Sequence, residues 1–266
     1  MTSASSFGAD SASTAKTVLI TGASSGIGLQ LAHHYLRQGW QVIACGRNEH
    51  ALKTITGAIA LAFDVSDYQQ VIQAKATVAK VLDEKQLSLD LVILNAGTCE
   101  YIDDAHAFDG QLFARVIQTN LIAAGYCLDA FLPLMVAGSR VALMSSSATY
   151  LPFPRAEAYG ASKAGVSYLA SSLSVDLAAS GIGVSVICPG FVKTPLTDKN
   201  DFVMPMRVDA ETAAATIAKG LAAGRREIHF PRRFTYLLKL ASLLPASLLE
   251  KMLRPRSNKA QSKDVK

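Results

Sequence analysis

The sequence lacks the features that mark several classes of protein. Its four cysteines lie far apart with no CxxC pair, and no histidines stand at the spacing of zinc ligands. We therefore expect reduced thiols in a cytosolic protein, without a disulfide framework or a metal site. No apolar run reaches the roughly 18 residues of a transmembrane helix, so any contact with a membrane is expected to be peripheral.

Charge of either sign is also scarce, because only 18% of the residues are charged while 50% are apolar. This composition excludes a disordered chain and favours a globular α/β domain. The net charge is a modest +5, and much of the basic excess follows residue 224, so no nucleic-acid-binding surface is predicted. Residues 1–15 and 257–266 are interpreted as flexible tails, and the first lacks the charged and apolar regions of a signal peptide.

Short apolar runs alternate with segments of helical periodicity. The runs that fit buried strands are TVLI at 17–20, QVIAC at 41–45, AIALAF at 58–63, DLVILN at 90–95, RVALMS at 140–145, GVSVIC at 183–188 and REIHFP at 226–231. This alternation predicts an α/β fold, a Rossmann-type doubly wound parallel sheet of about seven strands in a single domain. Because such sheets bind ligands at the carboxyl ends of the strands, functional residues are expected just after each run.

The first predicted strand ends in a glycine-rich turn, TGASSGIG, and an amphipathic helix follows it. Glycine permits a tight turn and a close approach of the backbone to a phosphate, while the helix N-terminus offers unpaired N–H groups. The turn therefore predicts a site for a dinucleotide pyrophosphate, with a purely structural turn as the alternative. The candidate residues are Gly22, Ser24, Ser25, Gly26, Ile27 and Gly28.

Further motifs follow in a fixed order along the chain: LNAG at 94–97, TNL at 119–121, MSSS at 144–147, YGASK at 159–163 and PGFVKT at 189–194. With the glycine-rich turn they resemble the short-chain dehydrogenases/reductases that carry TGxxxGxG and YxxxK motifs. The resemblance covers residues 16–230, which we expect to form an NAD(P)-binding Rossmann catalytic domain. It implies an oxidoreductase that interconverts a carbonyl and a secondary alcohol of a small molecule, in a homodimer or homotetramer.

The resemblance implies a catalytic set of Asn120, Ser146, Tyr159 and Lys163. Tyr159 and Lys163 are four residues apart, so they share one face of a helix. A tyrosine with its ordinary pKa of about 10 needs its phenolate stabilised to act near neutral pH, and Lys163 and the positive nicotinamide of the oxidised cofactor can supply that charge. Asn120 would hold a water that passes protons to the lysine, although an exposed helix asparagine is the alternative.

In the mechanism that the resemblance implies, NADPH gives hydride to a carbonyl carbon held by Ser146 and Tyr159. Tyr159 then protonates the oxygen, and the lysine and asparagine restore the proton through water. Ser146 would donate to the developing alkoxide and would not act as a nucleophile. Ser145 and Ser147 are the alternatives if the register is shifted by one residue.

The cofactor preference depends on the residue after the second predicted strand, where NAD-using folds place a carboxylate. Here the position holds Gly46, followed by Arg47. Glycine leaves room for a 2′-phosphate and the guanidinium can pair with it, so the sequence favours NADP(H) over NAD(H). The alternative is that Arg47 is a solvated arginine at the start of a helix.

The resemblance assigns further cofactor contacts along the sheet edge. Asp64 is placed near the adenine, although it would serve equally as the N-cap of the next helix. With Tyr159 and Lys163, the remaining contacts are Val65 beside the adenine, Asn95, Ala96 and Gly97 along the ribose, and Pro189, Gly190, Val192 and Thr194 at the nicotinamide carboxamide.

Residues 231–256 depart from the core pattern, since they combine many leucines with basic residues and are interrupted at Pro245. They predict an amphipathic helical extension that could lie in a membrane interface and bring a lipid-like substrate to the crevice. A subunit interface or a flap over the active site is the alternative. The apolar residues between 202 and 206 indicate an apolar substrate.

Two functions of different classes therefore remain at this point. The first is an NADP(H)-dependent oxidoreductase in the cytoplasm, associated through its extension with the inner face of a membrane. The second is a non-catalytic protein that senses NADP(H) or binds a membrane peripherally. The complete catalytic set favours the first, because a sensor has no need of an activated tyrosine.

Overall fold

The computed structural model of the protein describes residues 15–254. The tails predicted at 1–15 and 257–266 lie outside these residues, apart from residue 15. The α-helices are α1 (Gly26–Arg37), α2 (Glu49–Lys53), α3 (Tyr68–Glu84), α4 (Gly110–Ile117), α5 (Ala123–Phe131), α6 (Glu157–Asp176), α7 (Ala210–Ala222), α8 (Arg232–Ala241) and α9 (Ala246–Leu253). The strands are β1 (Thr17–Thr21), β2 (Gln41–Gly46), β3 (Ile59–Ala62), β4 (Leu89–Leu94), β5 (Met135–Met144), β6 (Gly183–Pro189), β7 (Val192–Lys193), β8 (Val208–Asp209) and β9 (Glu227–Phe230).

The main sheet has seven parallel strands in the order β3-β2-β1-β4-β5-β6-β9, and β7 and β8 form a small parallel pair beside it. The predicted doubly wound sheet of seven strands is therefore confirmed. One boundary was wrong, since β5 begins at Met135 and not near residue 140. Met135 pairs with Leu89 ahead of a bulge in the β4–β5 ladder, and Gly138, with a φ of 89°, and Ser139 separate the apolar residues of this first half from those of the second.

Alternate residues of the central strands face two separate cores. Val18 and Ile20 of β1 pack with α1 and α7 on one face, while Leu19 packs with α3, α5 and α6 on the other. Because both faces are buried, these strands read as nearly continuous apolar runs in the sequence. Helices therefore cover the sheet on both sides.

The strand order reverses between β1 and β4, because β2 and β3 lie on one side of β1 and the later strands on the other. Chains that follow such strands diverge and leave a crevice at the carboxyl ends. The glycine-rich turn after β1 and the segment after β4 border this crevice, so the topology places the predicted motifs together.

Candidate active site

The turn after β1 brings the start of α1 against the backbone. Gly22 and Gly26 have positive φ angles of 68° and 56°, which favour glycine. A Cβ on Gly28 would lie 2.2 Å from the carbonyl oxygen of Gly22, so only glycine fits there. The first turn of α1 contains no acidic residue, and its N-cap, Ser25, makes no side-chain cap. We call residues 22–28 the glycine cradle. The unpaired backbone amides at the start of α1, within this cradle, suit the pyrophosphate of a dinucleotide.

Asn95 joins the ends of β1 and β4. Its Nδ2 donates to the carbonyl oxygens of Thr21 at 2.9 Å and Gly22 at 3.2 Å. The backbone N–H groups of Asn95 and Ala96 donate to Thr21 Oγ1 at 3.0 and 3.1 Å. The sequence analysis missed Thr21, although a threonine at the end of an otherwise apolar strand is a visible signal. These bonds hold the two borders of the crevice at a fixed separation.

The crevice has a volume of about 930 Å³ and runs across the carboxyl ends of the strands. It is lined by the predicted residues Gly22, Ser24, Ser25, Gly26, Ile27, Arg47, Asp64, Val65, Asn95, Ala96, Gly97, Ser146, Tyr159, Lys163, Pro189, Gly190, Val192 and Thr194. Gly28 and Asn120 stand behind this lining and contact it. The structure therefore brings the predicted site residues into one place, in a space that suits an extended dinucleotide.

The adenine end of the crevice carries Arg47 and Asp64. The Arg47 side chain is 80% exposed, and its Nη1 lies 3.8 Å from Asp64 Oδ2. Asp64 accepts hydrogen bonds from the backbone and hydroxyl of Ser66, while Asp67 caps α3 through the N–H groups of its first turn. The alternative interpretation of Asp64 as the N-cap was therefore wrong, because the helix begins three residues later than that interpretation requires.

Tyr159 and Lys163 lie on the first turns of α6, where they face the crevice. Lys163 is buried, its Nζ donates to the carbonyl oxygen of Met144 at 2.9 Å, and the Nζ lies 5.9 Å from the centre of the Tyr159 ring. Burial lowers the pKa of Lys163 to about 8. The ammonium is therefore close to its titration point at neutral pH.

Burial also raises the pKa of Tyr159 above its ordinary value, and the Ser146 hydroxyl offsets only part of this rise. The expectation that Lys163 and the positive nicotinamide of the oxidised cofactor together stabilise the Tyr159 phenolate stays a prediction, since the protein groups alone raise this pKa. The physical reason is desolvation, which destabilises both the phenolate and the ammonium. Tyr159 is consequently a protonated phenol at neutral pH.

The three serines after β5 have different surroundings. Ser145 Oγ donates to the Lys163 carbonyl at 2.9 Å and is bonded to Ser167 Oγ at 2.7 Å, which ties it to α6. Ser146 Oγ accepts from the N–H of Ala148 at 3.1 Å and lines the crevice. Ser147 is buried in the 3₁₀ turn that follows. Ser145 and Ser146 both line the crevice, but the Ser145 hydroxyl is engaged by Lys163 and Ser167, whereas the bond from Ala148 leaves the Ser146 hydrogen for a ligand.

Asn120 sits in a π-helical turn, Gln118–Ile122, between α4 and α5. It is only 3% exposed, so the alternative of an exposed helix asparagine was wrong. Its Oδ1 accepts from the N–H of Thr98 at 2.7 Å, and its Nδ2 donates to the Thr98 carbonyl and to Ser162 Oγ, both at 2.9 Å. Because π-turns are local widenings of a helix, this one explains how α4 and α5 bend around the site.

Gly97 explains how Asn120 and Lys163 reach the segment after β4. A Cβ at this position would lie 2.9 Å from Asn120 Oδ1 and 3.2 Å from Lys163 Nζ. A larger residue would push both side chains away from the crevice. The glycine of LNAG therefore has a packing role as well as its predicted place along the cofactor.

The family model of the short chain dehydrogenases matches residues 16–202. The chain belongs to this family. An uncharacterized oxidoreductase of Myxococcus xanthus is 36% identical over 245 residues, which are 90% of this chain and 96% of that protein. The 3beta-hydroxysteroid dehydrogenase of Mediterraneibacter gnavus is 33% identical over 204 residues, covering 75% of this chain and 74% of that one. A 3-oxoacyl-[acyl-carrier-protein] reductase of Rickettsia prowazekii is 35% identical over 189 residues, covering 70% of this chain and 76% of that one.

Solved structures of short-chain dehydrogenases have the same fold. The enzyme from Streptomyces avermitilis aligns with a TM-score of 0.76 at 23% identity, covering 90% of this chain and 95% of that one. The enzyme from Burkholderia cenocepacia, solved in complex with NADP, aligns with a TM-score of 0.71 at 23% identity, covering 80% and 95%. The protein is therefore an oxidoreductase of the short-chain dehydrogenase type, with a Rossmann fold.

Beyond the residues that match the family model, α8 and α9 form a helical extension with two apolar sides. Phe234, Leu238 and Leu249 pack inward against Leu151. The outer row faces solvent and consists of Tyr236, Leu237, Leu240, Leu243, Leu248 and Met252. The break between the two helices falls at Pro245, as predicted. No helix in the described part of the chain has the length and apolar character needed to cross a membrane.

The apolar residues between 202 and 206, which indicate an apolar substrate, lie in the loop between β7 and β8. Phe202 packs edge-on against Tyr101, with ring centres 5.6 Å apart, and lies 6.0 Å from Phe191. Val203 is 89% exposed and points away from the crevice lining. The loop thus places one aromatic ring against Tyr101 and Phe191, while Val203 and Met206 are exposed and Met204 is half-buried against Asn200.

Proposed function

We propose that this short-chain dehydrogenase is an NADP(H)-dependent oxidoreductase that interconverts a carbonyl and a secondary alcohol, with Tyr159 as the acid and base. The observation that supports the proposal is the convergence of Tyr159, Lys163 and Ser146 on a crevice whose other end is the glycine cradle. A bound nicotinamide dinucleotide would supply the hydride. The cradle of residues 22–28, the segment 95–97 and the loop 189–194 would hold it along the crevice.

The protein's own residues handle the carbonyl oxygen and its proton. Ser146 would donate a hydrogen bond to that oxygen, since its hydroxyl lines the crevice. Tyr159, protonated because it is buried, would give its proton to the same oxygen. Lys163 lies within Coulombic reach and would stabilise the phenolate that remains. Asn120, held rigidly in the π-turn, would orient the water that returns the proton.

The preference for NADP(H) is supported by the surroundings of Arg47. Gly46 leaves space beside Ser24, and the exposed Arg47 lines the crevice, where its long ion pair with Asp64 at 3.8 Å leaves guanidinium donors for a phosphate. An exposed guanidinium at this place suits a 2′-phosphate.

Arg47→Asp is expected to raise the KM for NADPH about tenfold or more and to leave the KM for NADH nearly unchanged, because only the phosphate loses its partner. Initial rates with each cofactor measure the effect. Arg37→Asp is the matched control, since Arg37 is an exposed arginine at the end of α1 that pairs with Glu211, outside the crevice lining. Equal changes for the two cofactors, or a wild-type preference for NADH, would contradict the assignment.

The proposed substrate is an apolar or lipid-like ketone or alcohol. Two relatives are named for work on hydroxysteroids and on 3-oxoacyl chains, which are apolar molecules with a carbonyl or secondary alcohol. A panel of a steroid ketone, acetoacetyl-CoA and aliphatic ketones, followed by NADPH absorbance, tests the proposal. Tight binding of NADPH without turnover of any carbonyl would instead support the NADP(H)-sensing alternative.

We also propose that the protein is a cytoplasmic homodimer or homotetramer whose extension contacts the inner face of a membrane. Exposed apolar side chains on α6, Tyr168 and Val175, support self-association. The outer row of the extension supports the membrane contact, because exposed arginines and lysines at 232, 233, 251 and 254 flank it. An apolar row with basic ends suits the interface of an anionic bilayer.

The double variant Leu237→Ser/Leu240→Ser is expected to reduce binding to vesicles of phosphatidylcholine and phosphatidylserine about tenfold or more, because two apolar side chains no longer enter the interface. Vesicle flotation measures the bound fraction. Phe108→Ser/Val136→Ser is the control, since these side chains are comparably exposed outside the extension. Equal flotation of both variants and the wild type would rule out the membrane contact, and a loss of self-association instead would assign the outer row to a second copy of the chain.

A further inference from the structure

A chain of polar contacts joins α8 to the turn that carries Ser146. Tyr150 Oη donates to Glu227 Oε1 at 2.5 Å, and Lys239 Nζ donates to Glu227 Oε2 at 2.6 Å. Lys239 Nζ also lies 5.0 Å from the centre of the Tyr150 ring, within the range of a cation–π contact. The side chains of Lys239 and Glu227 are 30% and 37% exposed, so the pair is partly shielded from water. These three residues come from α8, β9 and the turn after β5.

Tyr150 and Ser146 belong to the same hydrogen-bonded turn. The N–H of Tyr150 donates to the Ser147 carbonyl at 3.1 Å, and Thr149 Oγ1 donates to the Ser146 carbonyl at 2.8 Å. The N–H of Ala148 donates to Ser146 Oγ itself. A displacement of Tyr150 would therefore be passed on, within four residues, to the hydroxyl that faces the crevice.

The same helix packs against the opposite border of the site. A Cβ on Gly190 would lie 3.1 Å from Phe234 Cδ1, and the rings of Phe191 and Phe234 have centres 5.7 Å apart. Gly190 donates its N–H to the carbonyl of Phe230 at 2.7 Å, just before α8 begins. The helix thus contacts both the Ser146 turn, through side chains, and the loop at 189–194, through packing.

The charge on Glu227 makes its contact with Lys239 strong. Burial by itself would raise the pKa of Glu227, but the hydrogen bonds from Lys239 and Tyr150 outweigh it and hold the pKa below its ordinary value. Glu227 is therefore ionised at neutral pH and accepts from both neighbours. Removing the ammonium would leave a partly buried carboxylate with only the phenol to bond it, which weakens the fixed position of Tyr150.

We propose that Lys239 and Glu227 are positioning residues, which hold Tyr150 and through it place Ser146 for the substrate carbonyl. The inference rests on the proposed carbonyl chemistry of Ser146. It assigns the extension a part in catalysis that is separate from any contact its outer row makes. The Glu227–Tyr150 bond spans 77 residues of sequence, so the arrangement depends on the folded extension.

Lys239→Met keeps the length of the side chain and removes its charge. We expect kcat to fall about tenfold or more with each ketone that the wild type reduces, because small displacements of a positioning group have effects of this size. The Kd for NADPH, from fluorescence titration, is expected to stay unchanged, since Lys239 contacts Glu227 and Tyr150, which lie outside the crevice lining. Lys239→Arg should restore most of the activity. Lys80→Met is the matched control and should behave as the wild type, since Lys80 is an exposed lysine of α3 that pairs with Glu84 outside the crevice lining.

A second measurement does not depend on turnover. In Lys239→Met the backbone amides of 148–150 should exchange hydrogen for deuterium faster than in the wild type, while those of β1 and α1 keep their rates. Tyr150→Phe, which removes only the phenol hydroxyl, should give the same pattern if Lys239→Met does not fold. Unchanged exchange at 148–150 overturns the proposal, even if the wild type reduces no ketone and the proposed function has failed.

Unchanged kcat in Lys239→Met also overturns it. A parallel loss of kcat, NADPH binding and melting temperature would mean that Lys239 has only a general structural role, which contradicts a positioning role. A drop in kcat with intact NADPH binding, rescued by Lys239→Arg, is the result that supports it.

Discussion

Tyr159→Phe is expected to lower turnover about 10³-fold or more while NADPH binds nearly as in the wild type. Loss of a general acid removes a contribution of about 10²–10⁴-fold, and here the same group also bonds the carbonyl oxygen. The ring remains, and the cradle at the start of α1 is untouched. Steady-state oxidation of NADPH with the best ketone of the panel, together with fluorescence titration of NADPH, measures both quantities.

The control for this variant is Tyr168→Phe, on the same helix. Tyr168 is 78% exposed and lies outside the crevice lining, so the loss of its hydroxyl should leave kcat unchanged. Substantial activity in Tyr159→Phe would exclude the proposed proton donor. An equal loss in both variants would show that α6 is disturbed in general.

Gly28→Ala is expected to weaken NADPH binding about tenfold or more and to destabilise the fold. The added Cβ would lie 2.2 Å from the Gly22 carbonyl oxygen and 2.6 Å from Asn95 Nδ2, so α1 must move away from the turn. Overpacking of this kind costs about 1–3 kcal/mol of unfolding free energy. Fluorescence titration and thermal unfolding measure the two effects.

Gly110→Ala provides the comparison for Gly28→Ala. Gly110 is also at the start of a helix, α4, but a Cβ there would meet nothing within 4 Å. Binding and melting temperature should match those of the wild type. If Gly28→Ala bound NADPH normally, the cradle would not be the pyrophosphate site.

Much of the sheet could be predicted because its strands are buried on both faces. The run TVLI gives β1 to within one residue, and GVSVIC gives β6 equally well. The first half of β5 was missed, since Gly138 and Ser139 interrupt its apolar residues and a bulge shifts the register of its pairing with β4. The pattern of apolar residues in a sequence indicates which strand residues are buried. It does not identify a strand that is irregular or exposed.

The parts of the site that lie within one short sequence motif could be predicted. The contacts between residues that are far apart in the sequence could not. The glycine turn and the Tyr159–Lys163 pair lie within short stretches, and the structure brings them to one crevice. The raised pKa of Tyr159 could not be anticipated, because desolvation depends on what the fold places around the ring. The contact between Tyr150 and Glu227 likewise has no signature in either segment.

The two apolar sides of α8 would make the extension a thermodynamic link between the protein's surface and the crevice, if a ligand bound the outer row. An α-helix is only about 10 Å across, so a ligand of the outer row would sit one helix diameter from Phe234 and Gly190. Suppose that such a ligand binds only when α8 is packed against the domain. It would then favour the conformation in which α8 contacts both the Ser146 turn and the loop at 189–194. Because coupling free energies are reciprocal, a filled crevice would tighten binding at the outer row by the same factor.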